Sequence, residues 1–127
     1  MLVNVYTCSK IELNWAVAQI LGRSDVYLTQ QQTELGLIDA LVYDVEDEGI
    51  NFTEDFDLFV DTKQVFDLMT DKGISLLRRT EPDRWVAQYR DWQITDTDPV
   101  RAVLTVLVRI TLGVNFEVPD NLDKAAR

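Results

Sequence analysis

An α+β fold is predicted by three stretches of the 127-residue chain. Residues 99–112 form an apolar run whose polar members Arg101, Thr105 and Arg109 recur every four residues, with Thr111 near the end. That spacing draws a narrow stripe along a helix, whereas a strand would alternate. Residues 74–95 read as ISLLRR, RWVAQY and WQIT separated by turn residues, the pattern of an antiparallel meander. Between Lys10 and Leu21 apolar residues return at helical spacing on one side only. The expected architecture is one domain over 1–127. In it a small antiparallel β-meander packs against an N-terminal amphipathic helix and a largely buried C-terminal helix, an alpha-beta-alpha sandwich-like arrangement.

In chain order, LVNVY at 2–6 suits a short strand. Ser9 and Glu12 form a capping box for a helix from Lys10 to Leu21, which Gly22 ends. Its apolar face is Leu13, Ala16, Val17, Ile20 and Leu21, edged by Ile11 and Trp15, which leaves Asn14 and Gln19 to solvent. Residues 24–62 are too rich in Tyr, Leu, Ile, Val and Phe for a disordered tail. Helix and strand fit them about equally, and Val45, Ile50, Phe52, Phe56, Leu58, Phe59 and Val60 read as apolar anchors pinning an acidic surface loop to the body. A second helix runs from about Thr62 to Lys72, ending at Gly73. The meander turns through Glu81, Pro82 and Asp83 and again at Arg90 and Asp91. Trp85, Ala87 and Tyr89 share one face with Trp92 and Ile94, which makes that face the seat of the buried helix. Asp98, Pro99 and Gly113 punctuate that helix as N-cap, first residue and terminator. VNFEVPDNL then makes a short extended piece before a frayed DKAAR.

The net charge of -10 is segregated. Residues 24–62 contain eleven acids and no Lys or Arg, while the rest carries 11 acids against 12 bases. The bland explanation is a solvated face; the sharper one is a surface made to meet something basic. A charge of this sign repels nucleic acid, so no direct nucleic-acid binding is expected. The chain has no histidine and one cysteine, Cys8, which removes disulfides, cysteine-based metal sites and most nucleophile–base pairs. No apolar run approaches the ~20 residues of a membrane span, and the start lacks a signal-peptide pattern. A cytoplasmic protein without membrane contact is expected.

Candidate chemistry is sparse. Asp44, Glu46, Glu48, Gly49 and Asp55 imitate the order of a calcium-binding EF-hand loop. Glu stands where that loop wants short Asp or Asn, and Asp where it wants a bidentate Glu, so no metal site is assigned. Carboxylate pairs such as Glu54 with Asp57 are expected by chance in so acidic a segment and carry no acid–base role without a cleft. Arg78, Arg79, Arg84 and Arg90 lie among Trp85, Tyr89 and Trp92, which could clamp a phosphate-bearing ligand, with Arg109 as a further candidate. Arg101 and Arg109 need partners if the C-terminal helix is buried. The five glycines are isolated, so there is no phosphate-binding loop.

SKIELNWAVAQILG, KGISL, the Trp85 and Ala87 pair, and TDPVRAVLTVLVRITLGVNFEVPDNL resemble, in order and spacing, the NinX family of small phage proteins. The resemblance spans about half the residues, and its most specific part is the Thr-x-Pro helix followed by Gly and a Val-Pro-acid-x-Leu tail. Phe66 and Asp67 stand where members usually carry Gly-Pro. The resemblance implies a phage-encoded protein working in the host cytoplasm, with helices packed on a small antiparallel sheet. It carries no established activity, so no catalytic residue transfers. The expectation is a non-enzymatic accessory protein that binds and inhibits or redirects a host protein with a basic surface, such as a defence or DNA-handling factor. It would do so through a DNA-mimic-like surface of Asp44, Glu46, Asp47, Glu48, Glu54, Asp55 and Asp57. The alternative is a nucleotide- or phosphate-binding protein using Arg78, Arg84 and Arg109. No cofactor is expected in either case, and surplus apolar surface on the buried helix leaves room for a homodimer.

Overall fold

The C-terminal helix, α3 (Pro99–Leu112), sits at the centre of the molecule. The computed structural model describes residues 1–80 and 83–120, so the proposed turn at Glu81 and Pro82 and the last residues, 121–127, lie outside the described part. Seven consecutive α3 residues, Ala102 to Val108, are buried. Full burial of one Val or Leu stabilises by ~1.5–3 kcal/mol, against at most ~0.7 kcal/mol for the weak helix propensity of a β-branched residue, so packing outweighs propensity here. Asp98 accepts from the amides of Val100 and Arg101, and the Gly113 amide closes the helix on the carbonyls of Val108 and Arg109. Both predicted ends are correct.

Around α3 the chain adds β1 (Leu2–Asn4), α1 (Lys10–Ile20), β2 (Tyr27–Thr33), β3 (Gly36–Asp47), β4 (Ile50–Asp55), α2 (Thr62–Lys72), β5 (Ser75–Thr80), β6 (Asp83–Tyr89), β7 (Trp92–Asp96) and β8 (Asn115–Glu117). The fold is α+β, with antiparallel strands throughout. β5–β6–β7 is the expected meander. Its register sets Ala87 beside Leu76 and Ile94, and Tyr89 beside Trp92. These residues join the core, and α3 packs on β6 and β7. β1 pairs with β8, bringing Val3 opposite Phe116, and the pairing continues through the Val5 amide to the Val114 carbonyl.

α1 carries the predicted capping box, with the Ser9 amide donating to Glu12 and the Glu12 amide to Ser9 Oγ. It packs against α3 and β3. Gln19 is exposed as expected, but Asn14 is buried at 4% exposure. Its amide donates to Asp57 Oδ1 at 3.2 Å and its carbonyl oxygen accepts from the Leu58 amide at 3.0 Å, so a polar residue on the outward side of α1 becomes the anchor for the chain leaving β4.

Residues 27–55 form a second three-stranded antiparallel sheet, β2–β3–β4, which settles the segment that fitted helix and strand equally as strand and replaces the acidic surface loop suggested there. The strands turn tightly at Glu34 and Leu35 and at Glu48 and Gly49. The second turn holds both residues at positive φ, 51° and 80°, the left-handed pair that suits the twist of a two-residue hairpin. Only the middle of β3 reaches the core. Leu41 is buried in it, Leu28 and Tyr43 pack against it, and Phe56 follows β4 inward. The hairpin ends project, which leaves Leu35 at 96% and Ile50 at 66% exposure.

Candidate functional site

The acidic residues come together because β3 is long and β4 folds back along it. β3 residues 43, 45 and 47 share one face of the sheet with their partners Glu54, Phe52 and Ile50. The opposite face carries Asp44, Glu46, Asp55, Asn51 and Thr53. The candidate carboxylates therefore divide: Asp44, Glu46 and Asp55 on one face, Asp47 and Glu54 on the other, and Glu48 at the turn. All six are exposed. An open concavity of about 490 Å³ is lined by Asp44, Glu46, Asn51 and Thr53 together with Val45 and Phe52.

Asp57 does not belong to this group, which corrects the expectation that all seven acids share one surface. It is half-buried beyond β4, and its Oδ1 accepts from Asn14 and from the Phe59 amide at 3.0 Å. Its work is structural, holding the turn that leads to α2.

Three of the six carboxylates are oriented by neutral donors. Tyr27 Oη donates to Asp44 at 2.7 Å, Tyr43 Oη to Glu54 at 2.7 Å, and Gln31 Nε2 to Asp55 at 2.8 Å. Donation to a carboxylate raises both phenols above their ordinary value, because ionising the hydroxyl would set two anions side by side. None of these donors neutralises a charge. The nearest cation in sequence is Arg23, outside the sheet and already committed. It forms a two-point pair with Asp25 at 2.8 and 2.9 Å and lies over the Tyr43 and Phe56 rings at 4.4 and 5.5 Å. That pairing lowers the Asp25 carboxyl below its usual range. The sheet thus keeps its negative field.

The charge spacing can be compared with DNA. Five carboxylates lie along the six rungs of the β3–β4 ladder, or ~20 Å, with Glu48 beyond them at the turn, which is roughly one charge per 4 Å counted over both faces. That is a little below the density of one DNA strand and less than half that of the duplex, which carries one charge per ~1.7 Å.

The EF-hand alternative fails on backbone grounds. Residues 44–47 and 50–55 are paired strands around a two-residue turn, so the loop cannot wrap a cation. Among the described residues no three acid or cysteine side chains group closely enough to hold a metal ion.

The arginines of the alternative site are dispersed. Arg78 stands opposite Trp85 and pairs with Asp83 at 2.6 Å, while Arg84 stands opposite Arg79 on the other face of the meander. Arg109, at the end of α3, donates to Tyr6 Oη and lies 4.5 Å from the centre of the Trp92 ring, at the opposite end of β6 from Trp85. Arg78 and Arg84 thus lie on opposite faces of the meander, and Arg109 lies at its other end. Arg101 is satisfied within the fold by the Cys8 carbonyl and by Asp96 at 3.8 Å, not by the acidic segment or a ligand. An apolar groove of about 240 Å³ between α2, the start of α3 and the meander is lined by Val65, Phe66, Met69, Leu76, Trp85 and Val100, with none of the three arginines. Cys8 is buried, donates to the Val5 carbonyl, and has its thiol pushed up to about 11 by desolvation. It is a core residue, not a nucleophile.

Sequence reasoning missed Asn14, Tyr27, Tyr43 and Gln31, which position the acidic sheet. The tyrosines carried a legible signal, since each sits within a few residues of an acid on a strand-compatible stretch. No described helix is long and apolar enough to cross a membrane. Compared with known protein families, curated proteins and solved structures, the chain matches none of them.

Proposed function

We propose that this protein is a non-enzymatic binding module that engages a basic protein partner through the β2–β4 sheet. The observation that carries the reading is the arrangement of Asp44, Glu46, Asp47, Glu48, Glu54 and Asp55. They are six exposed carboxylates on one projecting sheet with no Lys or Arg anywhere in it. Counted over both faces, the β3–β4 hairpin approaches the charge spacing of one nucleic-acid strand, which suits a partner that normally handles DNA or RNA. Taken with the resemblance to small phage proteins, the partner is a host factor in the bacterial cytoplasm that the protein inhibits or redirects. The small-ligand reading is weaker, because Arg78, Arg84 and Arg109 do not converge.

Immobilised protein exposed to bacterial lysate tests the proposal. A basic protein retained at ~50 mM salt and released by ~0.5 M salt is expected, since surface charge attraction is screened over that range. Retention of nothing, or only of acidic proteins, would count against it.

A further inference from the structure

The acidic sheet has an open backbone edge in its interior strand. β3 is twelve residues long, but β2 pairs only with Gly36 to Val42 and β4 only from Val42 to Asp47. The Phe56 amide donates to the Leu41 carbonyl at 2.8 Å, so the main-chain groups of odd-numbered β3 residues point toward β4 and those of even-numbered residues toward β2. β2 ends at Tyr27, opposite Val42. Beyond it the amides and carbonyls of Asp44 and Glu46 point into the space where β2 has stopped, and among the described residues no backbone group meets them. Asp44 and Glu46 are exposed. An unpaired strand edge is a template for another strand. The chain does not fill it, because Val26 turns into the core and Asp25 is held by Arg23.

The two faces flanking this edge differ in chemistry. On one, Asp44 and Glu46 bracket the edge; on the other, Val45 lies beside Phe52 and Tyr43 beside Glu54, with Ile50 and Asp47 paired beyond, so an apolar centre is flanked by one carboxylate at each end. A strand laid along 43–47 would set alternate side chains against carboxylates and against this apolar centre. A second copy of the protein does not fit. Antiparallel pairing of two such edges opposes Asp44 and Glu46 to the same carboxylates of the copy.

We infer that the open β3 edge at Asp44 and Glu46 takes an extended partner segment that alternates basic and apolar residues, added as a strand in line with β2. This rests on the acidic sheet being the binding surface and names the mode of binding. Val45 and Phe52 select the apolar positions, Asp44 and Glu46 the basic ones, and the backbone supplies the register.

The test uses a seven-residue peptide alternating Lys and Val, the same peptide N-methylated on its edge-facing amides, and an alternating Glu and Val control. The protein is wild type, Glu46→Gln or Glu46→Pro. Proline is tolerated where the amide faces an open edge, so Glu46→Pro leaves the β3–β4 ladder intact. Expected are binding of the Lys peptide only, a few-fold loss in Glu46→Gln, a further loss of at least tenfold in Glu46→Pro, and no binding after N-methylation. The amides of Asp44 and Glu46 should exchange at least tenfold more slowly in the complex. Equal binding of methylated and unmethylated peptides, or unchanged exchange at those amides, would overturn strand addition while leaving an acidic surface that attracts cations; the peptide comparison decides even if Glu46→Pro misfolds. Failure of the Lys peptide at low salt would overturn both readings, and self-association blocked by Glu46→Pro would replace the foreign strand with a second copy.

Discussion

Replacing Asn14 by Ala should destabilise the protein far more than its place on a surface-patterned helix suggests. The side chain is 4% exposed and makes two hydrogen bonds to residues more than 40 positions away. Truncation leaves the Leu58 amide without its acceptor in a buried site, at ~1–3 kcal/mol, and removes a bond to the Asp57 carboxylate, at ~1.5 kcal/mol or more. Some relaxation and water entry offset this, so a loss of about 2–4 kcal/mol is expected. With a urea slope of ~2 kcal/mol per molar, the unfolding midpoint should fall by about 1–2 M at unchanged slope. Gln19→Ala, on the same helix but exposed, should stay within ~0.5 kcal/mol. Circular dichroism in urea reads both variants. Asn14→Asp sharpens the result: it keeps the acceptor for Leu58 but brings two carboxylates together, so its loss should shrink when Asp57→Asn is added. An Asn14→Ala midpoint indistinguishable from that of Gln19→Ala would refute the claim that this residue ties the acidic sheet to the body.

Further consequences concern the core, the hairpin and alkaline pH. Leu104→Ala, at 0% exposure in α3, should cost about 2–5 kcal/mol by urea denaturation, whereas Leu112→Ala, 40% exposed at the helix end, should cost under ~1 kcal/mol. Gly49→Ala should cost about 1 kcal/mol, because φ is +80° there while an added Cβ meets nothing within 4 Å, so strain is its only penalty. The Cys8, Tyr27 and Tyr43 groups are all raised on folding, Cys8 to about 11. Groups raised on folding contribute stability that is fully present below their unfolded values and lost as pH rises through their folded ones. The contribution of these three groups should therefore be flat below about pH 8 and decline from about pH 9 upward, with phenol ionisation at 295 nm later in native than in urea-unfolded protein. Native protein should leave Cys8 unlabelled by a thiol reagent at pH 8, with labelling appearing on unfolding.

How far the sequence foretold this molecule depends on where each element's partners lie. α2 and α3 were legible because their terminators Gly73 and Gly113, and for α3 also the cap Asp98, are local; the α2 cap Asp61 became visible only in the structure. The β5–β7 meander was legible because one face is core and the other, apart from the buried Val86, is largely exposed, which imposes alternation. β2–β4 was not, because the sheet projects and both its faces meet water beyond Leu41 and Tyr43, which removes the period-two signal. Its second turn also carries Glu before Gly49 in place of the Asn or Asp that marks such hairpins. Asn14 was read as solvent-facing since its partners, Asp57 and Leu58, arrive only through the fold. The acidic residues were found from composition, but only strand register could divide them between two faces and separate Asp57 from the rest.

We propose that the carboxylates of the β2–β4 sheet, not the dispersed arginines, make the contact with a basic partner. The most direct test compares three proteins side by side in capture from bacterial lysate at rising salt. These are wild type, the variant with Asp44, Glu46, Asp47, Glu48, Glu54 and Asp55 changed to Asn or Gln, and the variant with Arg78, Arg84 and Arg109 changed to Gln. Wild type and the arginine variant should hold the same basic protein and release it at the same salt, while the neutralised variant should hold none of it. Equal capture by the neutralised variant, or loss of capture only in the arginine variant, would contradict the proposal.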